Sequence, residues 1–467
     1  MKKIILGAFV FAVSLFGFTG CYDAIYQNIR DEIELTTQKM PGFINNIARY
    51  DYGDEQYLFL TNGVIHYKNA KDEFHGAWKE LSGNGLPSSV HYNFEKTEFE
   101  GIYFSKIIAD KNYVYAFGFE PSYDTDNSRN VPKNLKIYYS KMTSDGEFEK
   151  WEEIKELSDV MSEYRSNLDN NYSDNYGMAI SCHLFGTNSV NPDHRVAFLR
   201  VGGGSPYLTN KENDSSALYK LDGGKIDEVA SITTDGNENA DSGDFVYSEF
   251  DLNTLSVVYF GGKYHFMNFL NADTNEGTTD SEGNVRAEPT YVYFGDFGDN
   301  LYYFSVDSYA ETYKTMFKYP RASYRSKDGL KSPTEFLEKN GETAGYIESV
   351  SDSNVIAIAV TSDSLVLGTG SNRSYNSTAS SGSGVARVLL EDGKPTKTGS
   401  FDTNAAKVMY SPYIIRALLA VDPSKAEKDT SIYSSMDYIY TATSAGTNAT
   451  NRGLWAYYPE KGEWNRE

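Results

Sequence analysis

The stretch Leu218-Tyr219-Lys220-Leu221-Asp222-Gly223-Gly224-Lys225-Ile226-Asp227-Glu228-Val229-Ala230-Ser231-Ile232 decides the fold class. A strand carrying an aromatic runs into Asp222-Gly223, and a polar strand with acidic residues runs out. Glycine after aspartate supplies the positive φ that a tight hairpin turn needs. The same kind of hairpin recurs at Ile65–Leu81, Ile137–Ile154, Tyr324–Phe336, Val388–Phe401 and Leu454–Trp464. Their turns contain Asp145-Gly146, Asp328-Gly329, Asp392-Gly393 and Lys461-Gly462; the first lacks the glycine and turns through Asn69–Glu73.

Each closing hairpin follows a pair of apolar runs joined by a short polar turn. These opening pairs are Ile47–Leu60, Ile107–Phe119, Ile180–Leu199, Val257–Phe269, Val355–Gly368 and Ile414–Thr441, with Tyr291–Phe294 and Leu301–Val306 as a further pair joined by Gly298-Asp299-Asn300. The four-part unit repeats at roughly 60–80-residue intervals, the kind of internal period to be sought first in a long chain. From Phe43 onward no helical period is sustained. The 38 Tyr and 26 Phe, against 4 Trp, favour strands.

Four antiparallel strands per unit, repeated through residues 43–467, resemble a β-propeller. The expected fold is therefore all-β, a propeller of seven four-stranded blades, with six and an insertion as the alternative. Seven opening pairs meet only six closing pairs, and the mismatch falls within residues 250–345: Tyr291–Val306 either completes the fourth unit or opens its own. The resemblance rests on period and not on WD, kelch or Tyr-Trp-Thr-Asp signatures. Gly453-Leu454-Trp455-Ala456-Tyr457-Tyr458 with Gly462-Glu463-Trp464 looks like the closing hairpin of many bacterial propeller repeats. Ser326-Lys327-Asp328-Gly329 resembles part of the Asp-box of sialidase-like propellers, without its second glycine and aromatic.

The N-terminus carries a different message. Met1-Lys2-Lys3 is a short positive segment, and the apolar run Ile4–Phe18 is too short to span a bilayer comfortably. Phe18-Thr19-Gly20-Cys21 resembles the lipobox of bacterial lipoproteins, with Phe in place of the usual Leu, as in the relaxed lipoboxes of spirochaete-type lipoproteins. The resemblance implies a signal peptide over residues 1–20, a diacylglyceryl group on the Cys21 thiol, and Cys21 as the mature N-terminus. Several acyl chains give durable anchoring, because each buried methylene adds roughly 0.8 kcal/mol. Residues 21–42 then form a lipidated tether: Ile25, Ile29 and Ile33 recur at helical spacing, which reads as a short amphipathic helix or, equally, as a solvated spacer. The expected location is exported and lipid-anchored to a bacterial membrane, the outer membrane first, facing periplasm or surface.

Charge narrows the partners. Loss of Lys2 and Lys3 with the signal takes the net charge from −22 to −24. Such a body argues against nucleic acid, whose affinity comes mainly from Lys and Arg neutralising phosphates, and against docking on anionic lipid through the protein surface. With Cys21 lipidated, Cys182 has no disulfide partner within the chain, so the core must hold the fold.

The connections expected between second and third strands are long and polar: Pro121–Asn134, Gly202–Asp214, Asn271–Pro289, Ser371–Ser383 and Ser444–Arg452. Loops of this kind carry function more often than the scaffold does. Tyr123, Arg129, Tyr207, Arg286, Arg373, Tyr375 and Arg452 are their aromatic and cationic anchors, suited to a glycan, peptide or protein partner.

Catalytic signatures do not emerge. The six histidines show no H-x-H or H-E-x-x-H spacing, and no G-x-S-x-G elbow or phosphate loop occurs. Cys182 and His183 are adjacent, and neighbours on a strand point to opposite faces. Asp235–Asp241 alternates oxygen ligands but lacks the glycine and glutamate of a calcium loop. No cofactor, metal or catalytic residue is assigned. The function expected is a lipid-anchored envelope protein presenting a loop face to a glycan, peptide or protein. An envelope-assembly scaffold and a sialidase-like or lyase-like glycan-processing enzyme are the alternatives.

Overall fold

The computed structural model describes residues 40, 44–71, 78–91, 99–125, 129–165, 182–187, 191–202, 216–232, 256–260, 263–267, 271–274, 291–295, 301–305, 344–347, 354–361, 364–370, 384–391, 394–401, 413–421, 432–438, 453–458 and 463–466. Within them the protein is all-β, with antiparallel sheets whose strands follow one another in chain order. The first sheet contains β1 (Asn46–Tyr52), β2 (Glu55–Thr61), β3 (Ile65–Asn69) and β4 (Lys79–Glu80). The second contains β5 (Tyr103–Ala109), β6 (Val114–Asp124), β7 (Arg129–Ser140) and β8 (Glu152–Glu153). The third contains β9 (Cys182–Gly186), β10 (Ala197–Gly202), β11 (Ser216–Asp222) and β12 (Lys225–Ile232).

A two-stranded sheet, β13 (Ser256–Phe260) with β14 (Lys263–Met267), comes fourth. The fifth contains β15 (Asn271–Thr274), β16 (Tyr291–Gly295), β17 (Leu301–Ser305) and β18 (Ala344–Ile347). The sixth contains β19 (Asn354–Val360), β20 (Ser364–Gly370), β21 (Gly384–Glu391) and β22 (Lys394–Phe401). The seventh contains β23 (Tyr413–Ala420), β24 (Ile432–Tyr438), β25 (Gly453–Tyr458) and β26 (Glu463–Arg466). Among the described residues there are thus six four-stranded sheets and one pair.

The second strands explain why the apolar runs are continuous. On β2, Tyr57 and Phe59 pack toward the second sheet, with Phe104 and Ile107. Leu58 and Leu60 pack the other way, with Val421, Leu454 and Ala456 around the seventh. On β6, Val114 and Ala116 join the cluster shared with the first sheet, while Tyr115 and Phe117 join that shared with the third. A sheet covered on both faces needs apolar side chains at every position, not at alternate ones. Each such Leu or Phe stabilises the fold by roughly 1.5–3 kcal/mol relative to exposure.

Neighbouring sheets meet through their first strands in chain order, and β23 of the seventh lies against β1 of the first. Side-chain hydrogen bonds reinforce these contacts. Asn46 acts on the β5 backbone like a missing strand, accepting from the Ile107 amide (2.9 Å) and donating to its carbonyl (2.5 Å). The Thr61 hydroxyl steadies that amide by donating to Asn46 Oδ1 at 3.2 Å. Close approach also dictates glycine on β6: a Cβ on Gly118 would stand 2.5 Å from Ile102 Cγ2 and 2.8 Å from the Tyr103 carbonyl oxygen.

Three expectations are corrected. Tyr291–Val306 neither completes the fourth unit nor opens its own; β16 and β17 are the central strands of a sheet whose edges are β15 and β18. Pro121–Asn134 is no loop, because β6 and β7 stay paired through Tyr123 opposite Asn130 to Asp124 opposite Arg129. A helix, α1 (Glu156–Arg165), follows β8. It escaped notice because few of its residues are apolar: Leu157 is buried in the cluster of the second and third sheets, and Val160 packs against it. Glu156 and Asp159 lie in its first turn, where carboxylates favour the helix N-terminus. The lipobox, the tether through residue 39, the Tyr324–Phe336 hairpin and the Asp235–Asp241 segment lie outside the described residues.

Candidate functional site

Two polar clusters sit where first strands meet, buried among otherwise apolar sheets. One lies at the chain-terminal ends of β1, β5 and β23. Arg195, in the β9–β10 connection, pairs through Nη1 with Asp51 Oδ2, and the Arg49 Nε lies 3.7 Å from the same oxygen. Gln56 donates to Asp51 Oδ1 at 3.0 Å. Burial alone would raise the Asp51 pKa; Arg195, Arg49 and the hydrogen bonds outweigh it and hold the carboxyl below its usual value. Arg49 Nη1 also donates to the Ala420 carbonyl at 2.6 Å, and the Tyr50 hydroxyl to that of Asn112 at 2.9 Å. First, second, third and seventh sheets are thereby tied at one place.

A neighbouring tie is built on Asp110. Its Oδ1 accepts from the amides of Asn112 and Tyr113, both at 2.6 Å, and its Oδ2 from the Tyr115 hydroxyl at 2.8 Å. That hydroxyl accepts in turn from the amide of Gly223, in the β11–β12 turn of the third sheet, at 2.9 Å. Burial raises the Asp110 pKa and Asp222 adds to it, against the pull of the hydrogen bonds. These two clusters are structural in character: every carboxylate oxygen in them accepts from the protein itself.

The second kind of cluster is cationic. His183 on β9 lies opposite Arg200 on β10 in the strand register, so both stand on one face of the third sheet. Cys182 and Leu184 occupy the other face, in the core shared with the second sheet. Burial pushes the Cys182 thiol up to about 12, which leaves it unreactive as a nucleophile. The His183 ring stacks on Phe185 at 5.6 Å, and Phe185 on Phe198 at 5.7 Å. Lys106, on β5, lies beside a bulge between Phe104 and Lys106 and opposite Phe117. Burial lowers its ammonium to about 8. Burial, then the charges of Lys106 and Arg200, hold His183 neutral well below the usual imidazole range.

Of the loop residues expected to bind a partner, Tyr123 and Arg129 come together at the tip of the β6–β7 hairpin, with the Tyr123 side chain half-buried. Tyr207, Arg286, Arg373, Tyr375 and Arg452, with Cys21, lie outside the described residues. Residues 203–215, 371–383 and 439–452 do connect second to third strands, as expected. Asn271–Thr274 is itself strand β15, so residues 275–290, with Arg286 among them, connect a first strand to a second. Antiparallel alternation sends such a connection to the opposite end of the sheet from the other loops. Sequence reading missed Lys106 and Arg200, whose only signal is a charge inside an apolar strand, Ile102–Ala109 and Ala197–Val201.

No family model and no curated protein matches this chain. Among solved structures, it is similar to the crystal structure of the Saccharomyces cerevisiae protein Sqt1, at 8% identity over 92% of this chain and 86% of that one, with a TM-score of 0.36.

Proposed function

We propose that this protein is a lipid-anchored envelope protein whose body is a seven-bladed β-propeller and whose loops between second and third strands bind a glycan, peptide or protein partner. The observation that carries the reading is the succession of first strands, each against the next, with β23 returning to β1. The fourth blade is represented by β13 and β14 alone among the described residues. Turns at one end of the sheets are short, as at Gly53-Asp54 and Gly223-Gly224, whereas three connections at the other end exceed ten residues. Chain length spent at one end of a rigid scaffold is the pattern of a binding face. The lipobox-like Phe18–Cys21 supports membrane attachment, and the acidic body supports a partner other than nucleic acid.

The test replaces residues 203–215, 371–383 and 439–452 with short Gly-Ser turns and trims the β6–β7 hairpin between Ser122 and Val131. Partners crosslinked to the parent on intact cells are expected to be lost from this variant while its circular dichroism is retained. If every crosslinked partner persists, the loop face is not the binding surface.

A further inference from the structure

We propose that Lys106, His183 and Arg200 form a binding site for an oxyanion, a carboxylate or phosphate group, at the inner edge where the second and third sheets meet. The inference rests on the propeller reading for its access route, since first strands would line the central opening.

The backbone brings the three residues together. Lys106 has Phe117 as its register partner, and Ile108 stands two positions further on; both of these pack in the cluster shared with the third sheet. Lys106 therefore belongs to the face of the second sheet that the third sheet covers. β5 and β9 are in direct contact. His183 stands opposite Arg200, and the charges of Lys106 and Arg200 both act on its ring.

What sets this cluster apart is the missing carboxylate. The chain has 65 acidic residues against 43 Lys and Arg, yet among the described residues no Asp or Glu pairs with Lys106 or His183. The contrast within the same molecule is Arg195, 4% exposed and paired with Asp51. Withdrawing an ammonium from water without a counter-charge costs several kcal/mol. A bound oxyanion offsets that cost, accepting from the ammonium and the guanidinium through charge-assisted hydrogen bonds. Phe185 and Phe198, 4% and 3% exposed, back the imidazole with apolar rings, and the low local polarity strengthens attraction for an anion. The excess negative charge elsewhere makes this one spot selective for a ligand that carries its own charge into the site.

The test titrates the whole chain by calorimetry with sodium phosphate in one arm and sodium glucuronate in another, against sodium chloride at matched ionic strength. Saturable one-site heat is expected in at least one arm, and which arm responds identifies phosphate or carboxylate as the source. Lys106→Met is expected to weaken binding at least tenfold, and Lys106→Gln likewise. Lys136→Met, which removes a lysine already facing Glu120 and Glu153, is expected to leave it unchanged. Ring-proton signals that disappear in His183→Gln should shift on saturation of the parent. No saturable heat in either arm, or equal affinity in the parent and both Lys106 variants, overturns the site. Small-angle scattering of the same samples separates the two readings. A compact ring without an anion response rejects only this site. A response lost in the Lys106 variants with an elongated particle keeps the site and rejects the ring.

Discussion

Arg49, on the first strand of the first sheet, donates through Nη1 to the backbone carbonyl of Ala420 at the end of β23, 371 residues further along the chain. The same side chain approaches Asp51, which Arg195 of the third sheet also grips. One buried carboxylate and two guanidiniums thus secure the contact between the two ends of the described chain. The arrangement requires the whole fold to exist before any member is satisfied.

Arg49→Met is expected to cost about 3 kcal/mol of stability. It strips the Ala420 carbonyl of this donor and leaves Asp51 with a single guanidinium, and breaking a buried pair by removing one partner is strongly destabilising. Urea unfolding checks it. A loss under about 0.5 kcal/mol, the level of a surface ion pair, would show that water replaces the guanidinium without penalty.

Tyr115→Phe is expected to cost about 1–3 kcal/mol, because the hydroxyl both donates to Asp110 and accepts from the Gly223 amide. The loss should appear in hydrogen exchange first at the Gly223 amide, since that donor faces a ring edge in the variant. Unchanged protection there would mean that the tie between second and third sheets lies elsewhere.

His66, on β3, makes stability depend on pH. Burial, aided by the nearby His91, lowers its imidazole to about 4, and its Nε2 is buried without a hydrogen-bond partner among the described residues. Between the unfolded value of 6.5 and about 4, the unfolded chain takes up a proton that the folded chain refuses. Stability from this group is therefore full above about 6.5 and declines as pH falls toward 4. His66→Gln is expected to flatten that part of a melting-temperature profile against pH. A parent and variant with parallel profiles from pH 7 to 4 would contradict this.

Cys21→Ser is expected to abolish incorporation of labelled palmitate and to move the protein from the membrane to the soluble fraction after export. Retention on the membrane with no label would show that something other than acyl chains anchors it.

The sequence by itself determined the strand class and the hairpin punctuation, because both are local. Asp145-Gly146 and Asp222-Gly223 turn where expected, with Gly146 at φ +77° and Gly223 at φ +59°, and the continuous apolar runs of β2, β6 and β20 become strands covered on both faces. Charge and the N-terminal motif were legible in the same way. Only the tertiary structure decided which strands share a sheet. β15 and β18 flank β16 and β17 from far along the chain, and no local pattern pairs four residues at 271–274 with a strand beginning at 291. It also decided that Tyr123 and Arg129 stand on a paired hairpin. Arg49 with Ala420, and Lys106 with His183, meet because sheets stack edge by edge around a shared interior. Such meetings depend on the curvature of the whole assembly, which residue spacing along the chain does not encode.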